Sequence, residues 1–166
     1  MMSILYPSNL GTTALACDIS VPSFGDPAGR LVRIRLINVL LEPLEFVDYR
    51  RWQLAVASSF LRQAGHGLMA GDFNAIQPED SQLVETCGLV DAWIATHPGE
   101  EGFTWGRVGD PRYPPTRLDK VATLGLQAVD VILLHPGTVP IERAGRRENL
   151  PWSDHSGLLC IFGNAS

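Results

Sequence analysis

Cysteine is scarce in this chain, and so is charge: there are three Cys, and Asp, Glu, Lys and Arg together make up 19% of 166 residues. Cys17, Cys87 and Cys160 are odd in number and far apart, and no C-x-x-C occurs. That excludes a disulfide framework and points to reduced thiols in an intracellular protein of the cytoplasm or nucleus. Each Cys reads most simply as a small buried hydrophobe. No apolar run is long enough for a membrane span, and no basic stretch precedes an apolar one at the N-terminus, so no signal peptide is indicated. Internal repeats and low-complexity tracts are missing. Positive charge is short too. A net charge of -5 argues against a surface built for nonspecific nucleic-acid binding, while leaving room for a local basic patch. What the chain has is apolar content, 45%, which fits a globular protein, and its length suits one domain over residues 1–166.

Residues 1–12 are turn-rich and show no pattern. Ala14 to Val21 reads as a strand, and Pro22 to Gly29 as a hairpin-like loop. Arg30 to Leu41 is the longest strand candidate, ended by Glu42-Pro43 because Pro cannot donate to a ladder. In it Ile34, Leu36, Asn38 and Leu40 share one face, and Arg33, Arg35, Ile37, Val39 and Leu41 the other. Asp48 to Ala64 is the best helix, with Asp48 as N-cap and Gly65 as its stop. Trp52, Val56, Ser59, Phe60 and Gln63 mark one side of it. Pro78 to Cys87 reads as a short helix ended by Gly88, and Asp91-Ala92-Trp93 as a helical turn. Residues 106–116 form a surface loop. Thr116 to Thr123, Ala128 to Leu134 and Gly157 to Phe162 are strands, and Gly137 to Pro151 a long polar loop. Helices interleave with hairpin-like strand pairs, so the class is α/β with mixed sheets.

Chemistry concentrates in three places. Leu68 to Ala70 is a short apolar strand that stops at Gly71 and then presents Asp72 and Asn74 two residues apart, able to leave a sheet edge side by side. Arg117-Leu118-Asp119 and Ser153-Asp154-His155 each put another carboxylate at a strand end. The set of Asp72, Asn74, Asp119, Asp154 and His155 suits metal-assisted hydrolysis of a phosphate ester. A hard cation takes carboxylate oxygens. A carboxylate can deprotonate the attacking water. A His held by a second carboxylate can stabilise developing charge. Milder readings compete with each assignment: Asp119 paired with Arg117 or Lys120, Asp154 as a turn residue, His155 as a satisfied core His.

In their order G-D-F-N, R-L-D, S-D-H these motifs resemble the endonuclease/exonuclease/phosphatase superfamily. Phe103-Thr104-Trp105-Gly106 and Ser153 to Leu159 look most like its tyrosyl-DNA phosphodiesterase-like branch. The resemblance implies a DNase I-like four-layer α/β sandwich of two sheets, truncated here at its N-terminal half, so that residues 1–166 form a single partial domain. It implies hydrolysis of phosphodiesters or phosphomonoesters with Mg²⁺ or Mn²⁺. By the resemblance Asp72 would activate water, Asn74 contact the scissile phosphate, Asp119 hold His155, His155 meet the phosphate, and Asp154 lie at the metal. Trp105 and Arg117 would sit near the substrate, with core aromatic and structural ion pair as the competing readings.

Two departures follow. The family's metal-holding Glu and an early Asn belong to the N-terminal half, and nothing before Ala14 supplies them. A family segment that usually reads N-V-H-L is Asn38-Val39-Leu40-Leu41 here, so Leu40 stands where an active-site His is expected. Glu42 lies nearby in a different register and does not replace the missing ligand. Catalysis is expected to be impaired, because one lost charge-stabilising donor costs on the order of 10²–10³ in rate. The alternatives are a catalytically silent phosphate-binding or interaction module and an incomplete gene product. A truncated sheet should also expose an apolar surface open to self-association. Arg107, Arg112, Arg117, Lys120, Arg143, Arg146 and Arg147 flank the motifs. If they converge they steer a phosphate ester, nucleic acid included, despite the acidic total.

Overall fold

The computed structural model describes residues 1–23, 28–143 and 145–163. At its centre is a six-stranded sheet in the order β1 (Met2–Leu5), β2 (Thr13–Pro22), β3 (Leu31–Leu40), β4 (Gly67–Asp72), β6 (Asp119–Leu124), β5 (Val90–Asp91). Neighbours run antiparallel except β3 and β4. A parallel pair needs a crossover, and helix α1 (Val47–Ala64) supplies it. A ribbon of β7 (Gln127–Leu134) and β10 (Gly157–Gly163) forms a second sheet. Strands β8 (Thr138–Arg143) and β9 (Arg146–Pro151) make a separate hairpin, and α2 (Ala92–Thr96) is a short helix. This is the mixed-sheet α/β class that the interleaved pattern predicts.

The alternation along β3 decides which way the sheet faces. Arg35, Ile37 and Val39, with Leu41 just beyond, are buried toward α1, together with Leu54, Ala57 and Leu61 of that helix. On the opposite face Trp93, Val121 and Val131 meet Leu158 and Phe162 of the β7–β10 ribbon. That second contact covers only part of the sheet. Asn38 and Leu40 are exposed, and Ile19, Ile34, Leu36, Leu68, Leu126 and Phe162 line an open apolar cavity of about 690 Å³. The ribbon's outer side is apolar as well, with Val129, Ile132, Leu134, Leu159 and Ile161 all exposed. A two-stranded ribbon is marginal alone. Both faces leave apolar area open to solvent. No helix among the described residues is long and apolar enough to cross a membrane.

Four local expectations need correcting. Residues 2–5 are a strand, paired to Thr13–Ala16 at the sheet edge. Gly137 to Pro151 is a strand hairpin rather than a polar loop, and its charges are the outward residues of an exposed ladder. The α1 N-cap is Phe46, with no side-chain cap bond; Asp48 sits inside the first turn, where it complements the helix dipole. The buried stripe of α1 is Arg50, Gln53, Leu54, Ala57, Ser58 and Leu61, while Trp52 is exposed. Polar side chains on a helix ordinarily face solvent, but Arg50 and Gln53 are spent on buried oxygens. Gln53 donates to Glu42 Oε2 and to the Pro7 carbonyl. Glu42 is fully buried and also accepts from Ser8 and Asn9, so it anchors the β1–β2 connection. The expected loop from Pro22 to Gly29 lies partly outside the described residues.

Candidate active site

Register assembles the site. Asp72 at the end of β4 lies directly opposite Asp119 on β6 and beside Leu40 on β3, a row across three strands. Gly71 makes the approach possible: its φ is 141°, and a Cβ there would run into the Val39 carbonyl of β3. Phe73 turns inward and is fully buried, which fixes the residues on either side of it. Asn74 takes a left-handed φ of 47°, and its N–H donates to Asp72 Oδ1 at 2.8 Å. Its side-chain amide donates to the Leu41 carbonyl at 2.9 Å, so it braces the end of β3 with one of its two N–H bonds.

His155 comes from the segment before β10. Its Nδ1 lies 2.8 Å from Asp119 Oδ2. That bond puts the ring proton on Nδ1 and turns Nε2 outward. Trp105 bridges both to Thr116 and to His155, and its indole N–H donates to Asp154 Oδ2 at 3.2 Å. Two like charges opposite each other on a sheet are unfavourable, and the imidazole offsets them. Half-burial holds the Asp72 carboxyl above the usual carboxylate range, with Asp119 and Asp154 pushing the same way against the Asn74 N–H and His155. For His155, burial works against protonation, but the hydrogen bond and charge of Asp119, backed by Asp72 and Asp154, raise it above its ordinary value.

Thr104 holds the parts in register, a role that the sequence reading does not assign to it. It is 2% exposed, and its hydroxyl accepts from both the Leu118 and Asp119 N–H groups, at 3.1 and 3.0 Å. Its carbonyl accepts from the Ser156 N–H at 2.7 Å. One residue thus ties the Asp119 strand to the His155 segment. Thr104→Val keeps the volume and strips the shared acceptor, leaving two N–H groups unmet. The expected cost is about 1–3 kcal/mol in urea unfolding, against near-native stability for Thr104→Ser. A valine variant as stable as wild type would rule this role out.

Arg117 is held by Asp91. It pairs with both oxygens of Asp91, at 2.9 and 2.7 Å, and Asp91 in turn caps α2 through the Trp93 and Ile94 N–H groups. The structural ion pair is therefore the reading its geometry shows. Lys120 sits 3.9 Å from Asp91, and its pKa is pushed down to about 8 by burial, with Arg117 adding to the shift. Arg112 is held by Asp110 over the Tyr113 ring. Arg107 shares a cavity of about 300 Å³ with Trp105, Tyr113 and Asp154. Arg143, Arg146 and Arg147 project from the exposed β8–β9 hairpin. Among the described residues no three His, Cys, Asp or Glu side chains converge as a metal cage.

No family model and no curated protein matches the chain. Solved structures do. Humanized D. rerio TDP2 with 14 mutations matches with TM-score 0.68 at 19% identity, over 98% of this chain and 66% of that one. D. rerio TDP2 complexed with single strand DNA product matches with TM-score 0.57 at 18% identity, over 91% and 69%. An endonuclease/exonuclease/phosphatase family protein from Bacteroides thetaiotaomicron matches with TM-score 0.58 at 13% identity, over 89% and 54%. The chain has the DNase I-like fold of these proteins and spans 54% to 69% of their lengths.

Proposed function

We propose that this chain, built on the DNase I-like fold, hydrolyses phosphate esters at the rim formed by Asp72, Asp119 and His155. The supporting observation is the row itself: a half-buried carboxylate faces a second carboxylate that holds an imidazole at 2.8 Å. Asp72 takes the proton of the attacking water, and its upward shift makes it a better base near neutrality. His155, whose protonated form Asp119 favours, turns an Nε2–H donor toward the phosphoryl oxygen, where charge grows as the bond to the leaving group breaks. The remaining amide N–H of Asn74 is left for a phosphate oxygen. Trp105 and Asp154 border the cavity that carries the rest of the ester, with Arg107 as its basic group. The substrate is a phosphodiester, and the DNA product held by one structural neighbour supports a nucleic-acid strand.

The expected Mg²⁺ or Mn²⁺ does not fit this donor set by itself. Asp154 is an exposed carboxylate already bonded to the Trp105 indole, and no third ligand converges on it among the described residues. Leu40 stands in the same row without a donor, which lowers the expected rate by on the order of 10²–10³. Those two features favour the second reading, a silent module that binds phosphate and turns nothing over.

Hydrolysis of bis(p-nitrophenyl) phosphate across the pH scale, with and without added Mg²⁺ or Mn²⁺, separates the two. The reaction needs Asp72 deprotonated and His155 protonated. The profile should be a bell whose acid limb lies above about 4 and whose basic limb lies above about 6.5, the ordinary values for Asp and His. Asp119→Asn removes the bond and charge that raise His155 and one of the charges that raise Asp72, so the basic limb should move down and the acid limb should follow it by less, since burial is the main cause there. No turnover at any pH with either cation would remove the hydrolase reading and leave the binding module.

A further inference from the structure

A second cavity opens at the other members of the row. It holds about 430 Å³ and is lined by Asp119 and His155 together with Trp152, His135 and Pro136. Trp152 is 68% exposed, an unusual position for so much apolar area. Yet it is not loose. Its N–H donates to the Gly137 carbonyl at 3.2 Å, and its ring lies against Gly137 so closely that a Cβ there would sit 2.9 Å from a ring carbon. Gly137 does not take a left-handed φ, so what the position requires is the missing side chain. The ring is thus braced on one side by backbone and open to water on the other, at the mouth of a cavity that ends at His155.

We infer that Trp152 is a stacking platform for the base of a nucleotide whose phosphate lies at His155, an inference that rests on the phosphate-ester reading of the same rim. A flat ring with one free face gains most from another flat ring, and every nucleobase has one. The polar groups that line the cavity are already engaged: His135 is bonded to Ser156, Ser153 accepts from the His155 N–H and Asp119 holds the His155 ring, so little is left to tell bases apart. The ligand extends beyond one nucleotide. Strand β9 runs from Arg146 to Pro151, next to Trp152, which places Arg146 and Arg147 about 15–20 Å along the hairpin from the platform. Arg143 and Arg146 face each other at its tip, and neither has an ion pair among the described residues. Like charges opposite each other are unfavourable unless an anion lies between or beside them. The phosphates of a continuing single strand supply it.

Fluorescence anisotropy tests this without turnover and without added metal. The probes are a labelled short oligothymidylate and an abasic oligonucleotide of the same length. Wild type should bind the thymidylate more tightly. Trp152→Ala should weaken that binding about ten- to hundredfold and leave the abasic strand unchanged. Trp152→Phe should keep most of the affinity. Gly137→Val, which unseats the ring without altering it, should reproduce the alanine effect. Because Trp152 is exposed, the melting temperature of Trp152→Ala should match wild type. Equal affinity for the two strands, or no change in Trp152→Ala, would overturn the inference. So would phenyl phosphate competing as well as thymidine monophosphate, since that would assign the cavity to aryl esters. A base preference without hydrolysis of bis(p-nitrophenyl) phosphate would sink the hydrolase reading and spare this one; hydrolysis without base preference would do the reverse.

Discussion

Arg50→Ala is expected to destabilise the protein by about 3–5 kcal/mol, the usual cost of stranding one member of a buried ion pair. Arg50 and Asp80 are 0% and 1% exposed, and the pair is bidentate: Nη2 meets Oδ2 at 2.6 Å and Nε meets Oδ1 at 3.1 Å. The other end of the guanidinium donates to the Glu42 and Leu44 carbonyls, at 3.0 and 2.8 Å. Alanine therefore leaves a buried carboxylate without its cation, with the Gln77 N–H still donating to it, and takes the donor from the Glu42 and Leu44 carbonyls. Against a total of about 5–15 kcal/mol for a typical domain this is a large share, and it corresponds to a fall of about 6–20 °C in melting temperature. Adding Asp80→Asn to Arg50→Ala removes the stranded charge and should restore part of the loss, about 1–3 kcal/mol. Urea unfolding of the two single variants and the double gives the coupling directly. An Arg50→Ala protein within about 1 kcal/mol of wild type would mean that water reaches Asp80 and that the pair is not buried in solution. The consequence extends to the rim, because the segment Arg50 clamps leads back to Leu41, whose carbonyl holds Asn74.

Arg50 also shows where the sequence stops being legible. Period-two alternation places Ile37 and Val39 on the covered side of β3 and Asn38 and Leu40 on the open side, and a one-residue slip would reverse both. The same local rule puts Asp72 at a strand end. On α1 the corresponding rule assigns the wrong stripe, because Arg50, Gln53 and Ser58 look like solvent residues until their buried partners are known. The partners of Arg50 and Gln53 are distant in sequence: Pro7, Glu42 and Asp80. The hairpin from Thr138 to Pro151 escapes local pattern for a related reason. Its strands are polar and fully paired to each other, so neither carries the apolar alternation that marks a half-buried strand. Arg117 is ambiguous in sequence for want of one fact, that β5 pairs with β6 and brings Asp91 beside it. Local pattern thus locates the rim, and long-range pairing decides which charges remain free to serve it.

Asp72→Asn should show the opposite sign for activity and for stability. Losing the base should lower kcat about 10²–10⁴-fold with little change in KM, since the amide cannot accept the proton of water. The oxygen of the substituted amide can still accept from the Asn74 N–H, so the turn has no reason to open. Stability should rise at neutral pH. In the folded chain the Asp72 carboxyl is raised, first by burial and then by Asp119 and Asp154. A group raised on folding contributes stability that is complete below its unfolded value and is lost as pH rises through the folded one. Wild type therefore carries an unfavourable charge at neutrality that the amide lacks, and the gain of Asp72→Asn should vanish in acid, where the carboxyl is protonated in both states. Paired urea melts at acid and neutral pH measure this, with hydrolysis assays on the same samples. Retained turnover would move the base to another residue. A variant less stable than wild type at neutral pH would mean that Asp72 is held by an attractive partner, and the crowding of carboxylates around His155 could not be the feature selected for chemistry.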